Sequence, residues 1–154
     1  MDNCKAAVHC SNGILCEQSR ISDSDAIKRK GHKRQKTVAI IEDERDIVDV
    51  YIRLCLMKCL DIAFIAYDGS DAVDKFMSCA RPDVLLIDHR MPTMTGLEAM
   101  EKMLEVDPLA KFIVISADDE IKEEALGAGA RVFIKKPASL CEISLAITKV
   151  LNEP

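Results

Sequence analysis

Four places in this 154-residue chain carry side chains suited to chemistry, and each lies at the end of a short apolar run. Val84-Leu85-Leu86-Ile87 runs into Asp88, and Thr37–Ile41 runs into Glu42, Asp43 and Glu44. Phe112–Ser116 ends on the Ser116 hydroxyl, and Arg131–Lys135 leads into Lys136-Pro137. Any one of these residues reads equally well as a turn residue or a helix cap. As a set they are complementary. Carboxylates crowded into one pocket repel each other, so their pKa values rise unless a cation arrives. Mg²⁺ suits such a site because it takes oxygen ligands and keeps several waters. Acids, a hard metal, a lysine and a hydroxyl together suit a phosphoryl group: the cations offset its charge while a carboxylate attacks phosphorus.

That chemistry requires the four run ends to meet. Runs of four or five apolar residues are too short for helices and read as strands buried on both faces, the pattern of a parallel sheet. The strand-like segments are Thr37–Ile41, Ile62–Tyr67, Val84–Ile87, Phe112–Ser116 and Arg131–Lys135. Between them lie helical patterns: Asp46–Leu60, with Ile47, Tyr51, Leu54 and Cys55 on one face, and Ser70–Cys79, with Val73, Phe76 and Met77 inward. The next two are Leu97–Val106, with Leu97, Met100 and Leu104 together, and Asp119–Gly127. A last helix after a Ser139 N-cap places Leu140, Ile143, Ile147 and Val150 inward. Five strands alternating with five helices predict an α/β fold, a doubly wound parallel (βα)5 sheet. The flavodoxin-like order 2-1-3-4-5 is a common one for five strands, and it sets strands one and three side by side. Glu42, Asp43 and Asp88 then share one edge of the sheet. Pro92 and Gly96 make the loop after Asp88 short and stiff.

Charge divides the chain. Residues 1–36 hold eight Lys/Arg against four Asp/Glu, and the remainder holds thirteen against twenty-two. The acidic body, residues 37–154, argues against nucleic-acid binding by the domain itself. The polar segment 1–36, ending in the basic run 28–36, reads as a disordered extension with a short helical patch near Ile14. It is the one part suited to touching nucleic acid or an anionic surface. Cys4, Cys10 and Cys16 recur at six-residue intervals beside His9, a spacing wider than structural zinc sites use. Seven cysteines, no long apolar run and no leader pattern give a cytoplasmic protein with no membrane contact as the expectation.

The residues Glu42-Asp43, Asp88-His89-Arg90-Met91-Pro92-Thr93-Met94-Thr95-Gly96, Ser116-Ala117 and Lys136-Pro137 resemble, in order and spacing, the receiver domain of two-component response regulators. The match spans about residues 37–152. The resemblance implies that Asp88 is the phospho-acceptor. It also implies that Glu42, Asp43, Asp88 and the backbone carbonyl of Arg90 hold Mg²⁺. Ser116 would be the switch hydroxyl, Lys136 the charge partner with a cis bond to Pro137, and Phe133 the switch aromatic. Glu42 stands where Asp is more frequent, and Ser116 where Thr is. The implied function is a self-dephosphorylating switch rather than an enzyme on other substrates. It would take a phosphoryl group from a histidine kinase or histidine phosphotransfer protein and change the face of the fourth helix, fifth strand and fifth helix. That face would serve a downstream protein or a homodimer.

Two expectations concern this chain's own residues. Arg90 and Asp118 flank the site; they read either as two solvated side chains or as a pair across its mouth that slows water attack on an acyl phosphate. Val50, Ile52, Leu56 and Met57 lie off the core stripe of the first helix; they read as core or, if exposed, as a docking patch for the phosphodonor. A haloacid-dehalogenase-type phosphatase also uses a strand-end Asp and Mg²⁺, but it needs a second Asp where this chain has Arg90. A flavodoxin-like cofactor binder is disfavoured by the acidic edge.

Overall fold

The computed structural model describes residues 34–78 and 81–154. The expectations for segment 1–33, including its disorder, its helical patch and its Cys/His spacing, lie outside the described residues. The elements run β1 (Thr37–Ile41), α1 (Arg45–Met57), β2 (Asp61–Ala66), α2 (Gly69–Ser78), β3 (Val84–Asp88) and α3 (Gly96–Val106). They continue with β4 (Phe112–Ser116), α4 (Lys122–Ala128), β5 (Val132–Lys135) and α5 (Leu140–Asn152). All neighbouring strands are parallel, in the order β2-β1-β3-β4-β5.

Alternation along each strand sorts side chains into two cores. Ala39, Ile41, Leu85, Ile87, Phe112 and Val114 pack with Phe76 of α2, Met100 and Met103 of α3 and Ala125 of α4. Val38, Ile40, Val84, Leu86, Ile113 and Ile115 face the other way, onto Tyr51 and Leu54 of α1 and Ile143 and Ile147 of α5. Every residue of β3 and β4 is buried, which is why their sequences read as unbroken apolar runs.

Several helix details differ from the sequence pattern. α1 stops at Met57, and Cys59 takes a left-handed φ of 53° to turn into β2. α4 begins three residues later than the pattern suggests, because residues 119–121 form a turn. Met77 and Leu140, expected inward, are 54% and 42% exposed. Met77 lies one residue off the buried stripe of α2, a rotation of about 100°, whereas Leu140 lies in line with the stripe of α5 but is that helix's first residue, ahead of its buried turns. No helix among the described residues is long and apolar enough to cross a membrane.

Candidate functional site: an acidic cleft at the carboxyl edge of the sheet

The chain leaves β1 toward β2, then returns to place β3 on β1's other side. That reversal opens a crevice beyond the strand tips, the usual ligand position in such sheets. Ile41 pairs with Ile87, so Glu42 and Asp88 follow side by side. Asp88 pairs with Ile115, and Ser116 with Lys135, which brings Ser116 and Lys136 to the same edge. The Lys136 amide donates to the Ser116 carbonyl at 2.8 Å, tying the last two tips together. The Lys136–Pro137 bond is cis.

Carboxylate oxygens of Glu42, Asp43 and Asp88 all lie within 4.8 Å of one another. Glu42 and Asp88 are buried. The Lys136 ammonium bridges them, 2.7 Å from Asp88 Oδ1 and 3.1 Å from Glu42 Oε2. A cleft of about 190 Å³ opens over these groups, lined by Asp43, Glu44, Asp88, Arg90, Ala117 and Lys136. One ammonium against three carboxylates leaves the cluster short of positive charge. Burial, then the neighbouring Asp88 charge, push the Glu42 carboxyl up to about 7, although Lys136 and the Glu44 amide pull the other way. For Lys136, burial works against the charged form. The hydrogen bond and charge of Asp88, followed by those of Glu42, outweigh it and raise its pKa. An all-oxygen donor set with surplus negative charge fits Mg²⁺, a hard cation.

The loop after Asp88 is held by close backbone approach. A Cβ on Gly96 would lie 2.1 Å from the Asp88 carbonyl oxygen, so only glycine lets α3 start against the end of β3. The Gly96 amide donates to the His89 carbonyl at 2.9 Å. Thr95 caps α3, its hydroxyl accepting from the Glu98 amide while the Glu98 carboxylate accepts from the Thr95 amide.

Arg90 and Asp118 do pair across the mouth, at 3.1 Å. Ser116 is buried in β4, and Phe133 is half-buried in β5. Two features were missed in the sequence. Tyr51 of α1 is buried near the acidic cluster, and burial, followed by the Glu42 charge, raises its phenol to about 12. Its helical periodicity marks it as core but gives no hint of Glu42. The other is the place of Ala117, noted in the sequence only as the neighbour of Ser116, in the lining of the cleft. On α1 the docking alternative gains ground over core: Leu56 and Met57 are 66% and 71% exposed, while Ile52 is half-buried against the core.

An open (βα)5 sheet with a strand-end aspartate, an acidic metal-binding pair, a lysine and a hydroxyl at one edge defines a phospho-acceptor switch domain. The chain belongs to the response regulator receiver domain family, whose model matches residues 38–148. It is 33% identical to the chemotaxis protein CheY of Thermotoga maritima over 122 residues, 75% of this chain and 97% of that one. Among solved structures, a CheX–CheY–BeF3–Mg²⁺ complex from Borrelia burgdorferi superposes with a TM-score of 0.72 at 26% identity, over 77% of this chain and 90% of that one. A CheY-like receiver domain from Methanospirillum hungatei gives 0.71 at 25% identity, over 77% and 94%. The acidic cluster Glu42, Asp43 and Asp88 is thus a Mg²⁺ and phosphoaspartate site in a signalling module, not the centre of an enzyme acting on a separate substrate.

Proposed function

We propose that Asp88 takes a phosphoryl group from a phosphohistidine on a histidine kinase or phosphotransfer protein and that the charge it gains drives a change at the α4–β5–α5 face. The observation that carries this reading is the Lys136 ammonium 2.7 Å from Asp88 Oδ1, beside the carboxylates of Glu42 and Asp43. An Asp88 oxygen attacks phosphorus as the donor's N–P bond breaks, and the bonding pair returns to the imidazole nitrogen. Glu42, Asp43, Asp88 and the Arg90 carbonyl would hold Mg²⁺, which when bound neutralises phosphoryl oxygens. Lys136 offsets the remaining charge. The Ser116 hydroxyl donates to a phosphoryl oxygen, and Phe133 repacks as the β4–α4 loop follows. Water then attacks phosphorus, releasing phosphate and restoring the carboxylate.

Protein partners fit this reading. The exposed Val50, Leu56 and Met57 on α1 offer a docking patch for the phosphodonor, and the α4–β5–α5 face offers a surface for a downstream protein or a second copy. The acidic body is unsuited to nucleic acid, and the basic arm is the one part that carries the charge for it. The chain incubated with a small phosphodonor and Mg²⁺ should gain one phosphoryl group by mass, and Asp88→Asn should gain none. Equal labelling of both would end the assignment of Asp88.

A further inference from the structure

The Ser116 hydroxyl oxygen has a partner already: it accepts from the Asp118 amide at 3.0 Å. Ser116 is itself 1% exposed, so its side chain has little room to move without its loop. Asp118 is fixed in turn. Its Oδ1 accepts from the Glu120 amide at 3.1 Å, and its Oδ2 accepts from Arg90 Nη2, also at 3.1 Å. Arg90 belongs to a different loop, the one that follows Asp88. A chain of contacts therefore runs from the loop after the acceptor, through Asp118, to the switch hydroxyl.

We infer that Arg90 is a positioning residue that acts through Asp118 on Ser116, holding the hydroxyl in its loop-bound arrangement and raising the threshold for its turn toward a phosphoryl group on Asp88. The inference rests on the reading of Asp88 and Ser116 given above. Turning the Ser116 Oγ toward Asp88 must break its bond to the Asp118 amide or carry that amide along. The Arg90–Asp118 pair resists the second route by tying the loop to the opposite lip of the cleft. The size of the effect follows from exposure. Arg90 is 70% and Asp118 25% exposed at the side chain, and ion pairs in such settings shift an equilibrium by less than about fivefold. Arg90 is therefore a tuner of the switch, not its lock. This role is separate from screening the acyl phosphate from water, because it operates before any phosphoryl group is present.

The test combines a phosphoryl mimic with a metal-free measurement. Binding of beryllofluoride with Mg²⁺ is titrated calorimetrically to the full chain, to Arg90→Ala, Arg90→Lys and Asp118→Ala, and to Arg90→Ala in a Ser116→Ala background. Amide exchange at Asp118 is followed by NMR without metal in the full chain and in Arg90→Ala. Arg90→Ala and Asp118→Ala should each tighten binding by about two- to fivefold. Arg90→Lys should return most of the way to the parent value. The Asp118 amide should exchange faster in metal-free Arg90→Ala by a similar factor. In the Ser116→Ala background the Arg90 substitution should have no effect on binding, since the group it acts on is gone. An Arg90→Ala chain that binds and exchanges like the parent overturns the inference, as does a gain that survives intact without the Ser116 hydroxyl. If the parent chain itself does not bind the mimic, the reading of Asp88 fails and takes this inference with it. A parent that binds and an Arg90→Ala that matches it sink only the inference.

Discussion

A methyl group at position 96 would lie 2.1 Å from the Asp88 carbonyl oxygen and 2.9 Å from the His89 Cα, both backbone atoms with no side-chain torsion to yield. Gly127, on α4, has nothing within 4 Å of the same imagined atom. The two glycines make a matched pair of tests. Gly96→Ala should destabilise the fold by about 1–3 kcal/mol, the usual cost of overpacking, and should weaken Mg²⁺ binding because the strain falls on the acceptor strand. Gly127→Ala should stabilise by about 0.5–1 kcal/mol, since a helix gains by the exchange and no contact is lost. Urea unfolding of both variants decides the matter; equal and small changes would show that the loop relaxes freely around position 96. The sequence could suggest that Gly96 shapes a tight loop. It could not say why, because the obstruction is backbone eight residues away. Asp88, Glu42, Asp43, Ser116 and Lys136 were legible as a set because each ends an apolar run. Asp118's hold on Ser116 was not, because backbone donors leave no mark on residue type.

At the scale of elements, the opposite edge of the sheet is closed by one carboxylate. Asp83, just before β3, accepts from Lys36, from Arg34 twice, and from both the amide and the hydroxyl of Thr37 at the start of β1. Its own amide donates back to the Thr37 carbonyl and hydroxyl. The starts of the two central strands are thereby locked in register, and residues 34–36 are tied to the folded body. Burial alone would raise the Asp83 pKa. The Lys36 and Thr37 hydrogen bonds outweigh it and hold the carboxyl at about 2, against an ordinary 3.8. A value depressed by folding means that the unfolded chain binds more protons in that window. The contribution is fully present above about pH 4 and is lost as pH falls toward 2. Solvent around Arg34 and Lys36 limits it to about 1 kcal/mol. Asp83→Asn should lose that amount at neutral pH and flatten the acid limb of the stability curve. An unchanged acid limb in urea titrations between about pH 2 and pH 5 would show the cluster to be passive. The sequence showed β1 and β3 but not this clamp, whose partners lie 46 to 49 residues apart.

Across the whole molecule, the two edges of the sheet respond to pH in opposite directions. The Asp83 edge gains stability as pH rises out of the acid range. The Glu42 edge loses it, because burial beside Asp88 lifts the Glu42 carboxyl from an ordinary 4.5 to about 7. Between those values the folded chain binds more protons than the unfolded one, so stability falls as pH rises and the penalty is complete above about 7. In full it is on the order of 3 kcal/mol, a large share of a typical domain's margin. Mg²⁺ binds the ionised carboxylates and only the folded chain presents them together, so it should offset this loss by mass action. The metal-free protein should therefore be most stable in the mildly acidic range. Its unfolding free energy should decline toward about pH 8, and millimolar Mg²⁺ should remove most of that decline. Glu42→Gln should flatten the decline without metal and reduce the stabilisation that Mg²⁺ provides. Urea titrations at about pH 5 and pH 8, each with chelator or Mg²⁺, measure all four corners. A metal-free decline just as steep in Glu42→Gln would place the titrating group elsewhere and leave Glu42 an ordinary buried acid.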